Sequence, residues 1–337
     1  MATFFGGDEG PFDEGIREAA ETFDAGVRGR WDLVRAAGRT TAWIRGRRPQ
    51  VVYGQNIETN LLALLVGRLP PTRPVAWGIR WDNPGVTASD RRGHAAARLH
   101  GRLGRSVDIV IANSHAGGNY AREIGVPEER LRVIGNGVDA DEFAPDPIAR
   151  ARVRSEWRVA DDETLIGTVG LDPRKRHEPF LRAARVFAEN APGSRFVLVG
   201  DADSDYRRRL ELLAADLGLT ERRIWAGVRQ DMRGVYNALD LATLLSRSEG
   251  TPNSVAEAMA CGVPCVVSNA GDAAAVVGDP TLVVEPVSPG LVAATWSKAL
   301  ARDWTAAERA RLRQSILNRF GLERMVAEQE SALVSVV

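Results

Sequence analysis

Glu249 and Glu257 stand eight residues apart, and the residues around them are those of a ligand site. An apolar run, Leu241 to Leu245, stops at a polar loop, Glu249-Gly250-Thr251-Pro252. A helix is predicted from Asn253 to Cys261, closed by Gly262-Val263-Pro264, and a second apolar run starts at Cys265. The loop brings a carboxylate, Glu249, to the same place as a helix N-terminus. Amides in the first turn of that helix, at Asn253, Ser254 and Val255, have no partner within it. Such amides and the helix dipole attract phosphate. Eight residues of helix rise roughly 12 Å. That span suits a ligand with polar groups at both ends and an anion between them, as in a nucleotide-sugar.

The plainer reading is a surface glutamate in a loop and a helix with one glutamate on its wet side. The neighbours of Glu257 argue against it. Val255, Ala256, Ala258, Met259 and Ala260 make a helix so apolar that a charge within it demands a partner or a ligand. A second basic constellation follows the apolar run Leu165 to Val169: Gly170-Leu171-Asp172-Pro173-Arg174-Lys175-Arg176-His177. Three successive cations at a strand's carboxyl end would neutralise phosphate, although a solvated basic turn has the same composition.

The pattern Glu-Gly-x-Pro-x4-Glu-Ala-Met-Ala-Cys-Gly-x-Pro, unbroken from Glu249 to Pro264, resembles the signature of the retaining GT-B glycosyltransferases known as family 4. The resemblance implies an α/β protein of GT-B form, two Rossmann-like domains with a cleft between them. It implies that Glu249 touches donor-sugar hydroxyls and Glu257 the ribose. Gly250, Thr251 and Pro252 line the donor, and the amides of Asn253, Ser254 and Val255 hold its diphosphate. Lys175 matches the lysine of the family's Gly-Arg-Leu-x-Pro-x-Lys loop, which also grips the diphosphate. The family's arginine is absent, because Leu171 follows Gly170 directly. Arg174 and Arg176 are the two candidates to supply its charge. The loop Gly227-Val228-Arg229-Gln230-Asp231 matches the place where the family meets the base, with Arg229 as the candidate residue. Arg80 is assigned to acceptor or phosphate contact, with a surface salt bridge as the alternative.

The activity implied is hexosyl transfer from a nucleoside-diphosphate sugar, with retention, to an unidentified glycan, lipid-linked or small-molecule acceptor. The scheme needs no enzyme nucleophile, metal or cofactor. The alternatives on the same fold are a catalytically silent nucleotide-sugar-binding protein, a sugar-nucleotide epimerase or a sugar-phosphate synthase. One departure concerns the start of the chain. Family members open with a strand and a Gly-rich loop that closes over the diphosphate, whereas Phe4 to Gly10 looks like a later element. The first strand-loop-helix block is therefore expected to be missing, leaving one wall of the site incomplete.

Composition agrees with a globular protein of two domains: 337 residues, 44% hydrophobic and 26% charged. Formal net charge is zero and the pI is near 6.9, so no global field draws the chain to nucleic acid. The longest apolar stretch, Leu61 to Val66, is far too short to span a bilayer. The opening residues lack the basic flank and apolar core of a signal peptide, so cytoplasmic residence is the default. Arginines 91, 92, 98, 102 and 105 form either a solvated face or an approach to anionic lipid or acceptor, which would place the protein at the inner face of the membrane. His94, His100 and His115 show no shared helical face. Cys261 and Cys265 read as small buried residues, too few for a metal site. Gly200 to Asp205 fails as a calcium loop, since Tyr206 and Leu212 stand where Gly and Glu belong; it reads as a helix cap.

Along the chain, Phe4-Phe5 ends a possible strand, Gly6 to Pro11 is a loop and Phe12 to Phe23 is a possible helix. Leu33 to Arg45, Asn56 to Val66, Arg91 to Gly104 and a segment reaching Ile124 read as helices. Val51 to Gly54, Val75 to Ile79 (leading to Arg80-Trp81-Asp82), Ile109 to Ile111 and Leu131 to Ile134 read as strands. Asn136 to Asp139 and Pro145-Asp146-Pro147 read as a linker. Beyond it, strands and helices alternate regularly, which predicts a parallel sheet covered on both faces with ligands at the strands' carboxyl ends. The domains expected are residues 1–138 on the acceptor side, 139–310 for the nucleotide-sugar, and 311–337 returning to the first.

Overall fold

The computed structural model describes residues 2–3, 18, 20–25, 33–80 and 99–337. Its first part contains β1 (Ala2–Thr3), β2 (Phe23–Asp24), α1 (Leu33–Arg47), β3 (Val52–Gly54), α2 (Ile57–Arg68), β4 (Val75–Ile79), β5 (Ile109–Ala112), α3 (His115–Glu123) and β6 (Leu131–Val133). Strands β3, β4, β5 and β6 pair in that order, all parallel. Every residue of β4 and β5 is buried, because helices cover both faces of a parallel sheet and leave no wet side for alternation. Asn56 and Thr59 form a reciprocal cap at the start of α2, and Ser114 caps α3. Phe23, expected to end a helix, lies instead in β2, parallel to β1. Phe4-Phe5, the Gly6 to Pro11 loop, most of the Phe12 to Phe23 helix, Trp81, Asp82, Arg91, Arg92, His94 and Arg98 lie outside the described residues.

After Val138 the chain enters the second part: α4 (Pro147–Glu156), β7 (Thr164–Val169), α5 (His177–Asn190), β8 (Ser194–Val199), α6 (Ser204–Asp216), β9 (Arg223–Gly227), α7 (Met232–Ala238), β10 (Leu241–Leu244), α8 (Asn253–Ala260), β11 (Cys265–Ser268), α9 (Ala273–Val277), β12 (Val283–Val284) and α10 (Pro289–Leu300). Pro145-Asp146-Pro147 is not a linker. Asp146 accepts the Ala149 amide and Pro147 opens α4, where its missing N–H costs nothing. The six strands form one parallel sheet in the order β12-β11-β10-β7-β8-β9. The chain runs outward from β7 to β9, then returns to the other side of β7 and runs outward again to β12. A crevice opens where that direction reverses, between β7 and β10. The core beneath it is aromatic: Trp296 of α10, fully buried, packs against Phe180, Phe187 and Phe196.

Two α/β domains thus face each other across a cleft. Among the described residues the chain crosses between them at Val138 and again at Gly321, side by side. The Val138 amide donates to Phe320 O at 2.7 Å, and the Leu322 amide donates to Val138 O at 3.0 Å. Residue 311 lies inside α11 (Ala306–Phe320), which packs on α8, so the return crossing is at Gly321. Helix α12 (Leu322–Val334) then covers the first sheet, with Met325, Ala332 and Leu333 against Ala76, Ile109 and Ile111. Among the described residues, no helix is long and apolar enough to cross a membrane.

Candidate donor site in the interdomain cleft

Because β7 and β10 are neighbours, the loops that leave their carboxyl ends meet. Gly170 turns the first loop with φ +83°, a conformation other residues rarely adopt. Lys175 folds back across it, and its Nζ donates to Val169 O at 2.9 Å. A Cβ on Gly170 would lie 2.7 Å from that Nζ, so the glycine makes room for the lysine. Arg174 sits on the Pro173–Lys175 turn, its guanidinium fixed by Asp172 at 2.9 and 3.0 Å. The Arg247 amide donates to Arg174 O at 2.9 Å and ties the two loops together. In the second loop, Ser246 Oγ donates to Glu249 Oε1 at 2.6 Å and holds that carboxylate in place.

The first domain closes the space. Arg80, Asn113 and Asn136 follow the carboxyl ends of β4, β5 and β6. With Arg174, Lys175 and the loop Ser248 to Thr251 they line a cavity of about 220 Å³. Glu249 and Lys175 therefore face one space. Arg80 is held by neutral partners, Gln55 Oε1 at 2.9 Å and the Tyr53 hydroxyl at 3.3 Å. Asn136 spans the cleft and donates to Asn253 Oδ1 at 2.8 Å. The Thr251 hydroxyl donates to Asn113 O, also across the cleft.

Glu257 is half-buried on α8 and, like Pro252, Asn253, Ser254 and Val255, is not among the residues that line this cavity. Burial pushes its carboxyl above the usual carboxylate range. The Tyr236 hydroxyl, which donates to Oε2 at 2.5 Å, pulls it back down; Glu142 raises it and Lys175 lowers it. The N-terminus of α8 carries no side-chain cap. The Val255 amide, expected to be unpaired, donates to Pro252 O at 3.2 Å. This is a tightened first turn, and it leaves Asn253 and Ser254 to offer amides.

Two candidate residues are turned to other work. Arg176, at φ +58°, is the residue at which α5 begins and does not line the cavity. Arg229 pairs with Glu156, Nη2 to Oε2 at 2.9 Å, and its guanidinium lies 5.9 Å over the Trp157 ring; it too is absent from the cavity wall. Asp203 caps α6 through the Asp205 amide, as the sequence of that loop suggested. Cys261 and Cys265 are buried free thiols. Sequence reasoning missed Asn113, Asn136 and Ser246. Asn113 and Ser246 directly follow apolar runs and Asn136 stands three residues beyond β6, and that position was the available signal. It also missed Tyr236, which lies 21 residues from its partner.

Two family models match the chain. "Glycosyl transferases group 1" matches residues 163–302 and "Glycosyl transferase 4-like domain" matches residues 3–137. Among curated proteins, the chain is 30% identical over 182 residues to the GDP-mannose-dependent alpha-(1-6)-phosphatidylinositol monomannoside mannosyltransferase of Mycolicibacterium smegmatis; the match covers 51% of this chain and 47% of that protein. It is 33% identical over 155 residues to the UDP-Gal:alpha-D-GlcNAc-diphosphoundecaprenol alpha-1,3-galactosyltransferase of Escherichia coli, covering 44% of this chain and 39% of that one. The matches span about half the length of such relatives, or less. Among solved structures, HepE of Anabaena in complex with UDP and glucose superposes with a TM-score of 0.83 at 21% identity, over 97% of this chain and 90% of that chain. With both domains matched and the two-domain architecture shared, the chain belongs to the group 1 glycosyl transferases, family 4, of the GT-B fold.

Proposed function

We propose that the protein transfers a hexosyl group from a nucleoside-diphosphate sugar to an acceptor hydroxyl with retention at the anomeric carbon. The observation that carries this reading is the meeting of Glu249 and Lys175 in one cavity at the point where the second sheet reverses its strand order. The diphosphate lies against Lys175, Arg174 and the amides that open α8. Glu249 accepts hydroxyls of the sugar and Glu257 those of the ribose. The bond from C1 to the diphosphate oxygen breaks and the diphosphate leaves with the electron pair. Lys175, Arg174 and the amides meet the charge that develops there. The acceptor oxygen bonds to C1 from the same face, and its proton passes to the departing diphosphate.

The first domain supplies the acceptor side, with Arg80 facing the cavity. Relatives named for GDP-mannose and for UDP-galactose donors support a nucleotide-sugar and leave the base open. Melting-temperature shifts with UDP, GDP and their sugars identify the donor, since a ligand that binds only the folded state raises its melting point. Transfer is then assayed for the wild type and Glu249→Ala. A binder that never turns over, or full turnover without Glu249, would overturn the assignment.

A further inference from the structure

Asp272, 8% exposed, joins the donor loop to the first domain by both its backbone and its side chain. Its amide donates to Gly250 O at 3.1 Å. The preceding Gly271, at φ +54°, lies so close that a Cβ there would fall 1.7 Å from Glu249 O. Its carboxylate reaches across the cleft. Oδ2 accepts the His115 amide at 2.7 Å and Oδ1 accepts the Ala116 amide at 3.2 Å, the first two amides of α3. Helix α3 already has a cap of its own, Ser114 Oγ on the Gly117 amide at 2.9 Å. Asp272 is thus a second cap, supplied from the opposite domain. Its charge suits the positive end of the helix, and its two bonds satisfy amides that Ser114 leaves open. Beside it, the Thr251 hydroxyl meets Asn113 O.

These bonds exist only while the two domains are together. Parting the domains would leave a carboxylate and two amides to be rehydrated, so the contact favours the closed arrangement. The groups proposed above to hold the nucleotide (Lys175, Arg174, Glu257 and the amides of α8) all belong to the second domain and need no such contact. We propose that Asp272 is a positioning residue: through Gly250 it holds the Glu249 loop against α3, and so sets Glu249 relative to an acceptor carried by the first domain. The role given to Glu249 rests on the transferase reading; the clasp between Asp272 and α3 does not.

The test uses the full chain with Asp272→Ala, Asp272→Asn and His115→Pro. Proline fits at His115, the first residue of α3, since Ser114 before it is extended at φ −156° and ψ 159°. It deletes one donor and leaves the second domain untouched. For each variant, affinity for UDP and GDP is measured by calorimetry, kcat and KM by transfer assay, and radius of gyration by small-angle scattering with nucleotide present. Asp272→Ala and His115→Pro are expected to lower kcat about tenfold, to enlarge the radius of gyration and to leave nucleotide affinity unchanged. Asp272→Asn, which keeps an acceptor oxygen, recovers most of the loss. The double variant Asp272→Ala/His115→Pro is no worse than Asp272→Ala.

Unchanged kcat and radius, a parallel loss of nucleotide affinity, or an additive double variant overturns the proposal. If Asp272→Ala does not fold, His115→Pro decides alone. If the wild type transfers no sugar, the transferase reading fails, and the scattering result still decides the clasp.

Discussion

The Tyr236 hydroxyl donates a 2.5 Å hydrogen bond to Oε2 of Glu257, joining α7 to α8. Tyr236 is 1% exposed, so this bond gives a buried phenol its partner and gives a half-buried carboxylate a fixed direction. Burial raises the Glu257 carboxyl above its ordinary 4.5, and the phenol is the strongest force opposing it.

If Glu257 holds the ribose as proposed, nucleotide affinity should fade on acidification at a higher pH than an ordinary glutamate would give, because the protonated carboxyl loses an acceptor. A raised folded pKa means the fold favours the acid. Neutral pH then draws no stability from Glu257, and the effect appears in binding. Tyr236→Phe removes the opposing bond and should move the fading point further up. Calorimetric titrations with nucleoside diphosphate between pH 5 and 8 check this; superimposable profiles for wild type and variant would refute it.

Glu249→Ala should reduce kcat by about a hundredfold or more while nucleoside diphosphate affinity stays near wild type, since misplacing the reacting sugar costs rate rather than phosphate contacts. Ser246→Ala should give a smaller loss of the same kind, because Ser246 only orients Glu249. Equal losses in affinity and rate would show that Glu249 holds the nucleotide instead.

Lys175→Ala should weaken nucleoside diphosphate binding by about ten- to a hundredfold, the range of a charge-assisted hydrogen bond. The deficit should shrink at high salt. A monophosphate should suffer less than a diphosphate. Because Lys175, Arg174 and the α8 amides carry the anion in this scheme, transfer should survive a chelator. Abolition by EDTA, restored by a divalent cation, would require a different phosphate site.

Acid should destabilise the protein before its ion-paired aspartates titrate. Burial pushes both His100 and His177 down from 6.5 to about 4. A depressed histidine contributes stability that is complete above 6.5 and is lost as pH falls toward 4. Each such group is worth on the order of 3 kcal/mol at the end of that window. Asp172 is held down by Arg174, and Asp279, which burial raises, is brought down on balance by Thr281 and Arg302, so both act only below their ordinary 3.8. Urea midpoints at pH 7.5, 6 and 5 should decline steadily; a flat profile would show that these imidazoles ionise inside the fold.

Trp296→Ala should cost about 3–5 kcal/mol, because Trp296 is fully buried among Phe180, Phe187 and Phe196, which cannot collapse into so large a void. The second-domain transition, followed by denaturant titration with nucleoside diphosphate affinity as its marker, measures this.

What the sequence determined by itself is local. Leu241 to Ser268 is one strand-loop-helix-strand passage, so its carboxylate, its helix N-terminus and its family resemblance could be read from contiguous residues. The regular alternation after residue 160 likewise implied a parallel sheet, and with it the place where ligands gather. Ambiguous punctuation misled the reading at Asp146-Pro147, where a helix cap and a turn share the same residues. Tertiary structure decided everything that depends on distant segments meeting. It set Arg174 on the cavity wall and engaged Arg229 with Glu156, and it brought Asp272 to amides 156 and 157 residues earlier in the chain. No local pattern encodes such pairs. Their partners are chosen by strand order and domain packing, and those follow from burying the whole apolar surface at once rather than from any short run of residues.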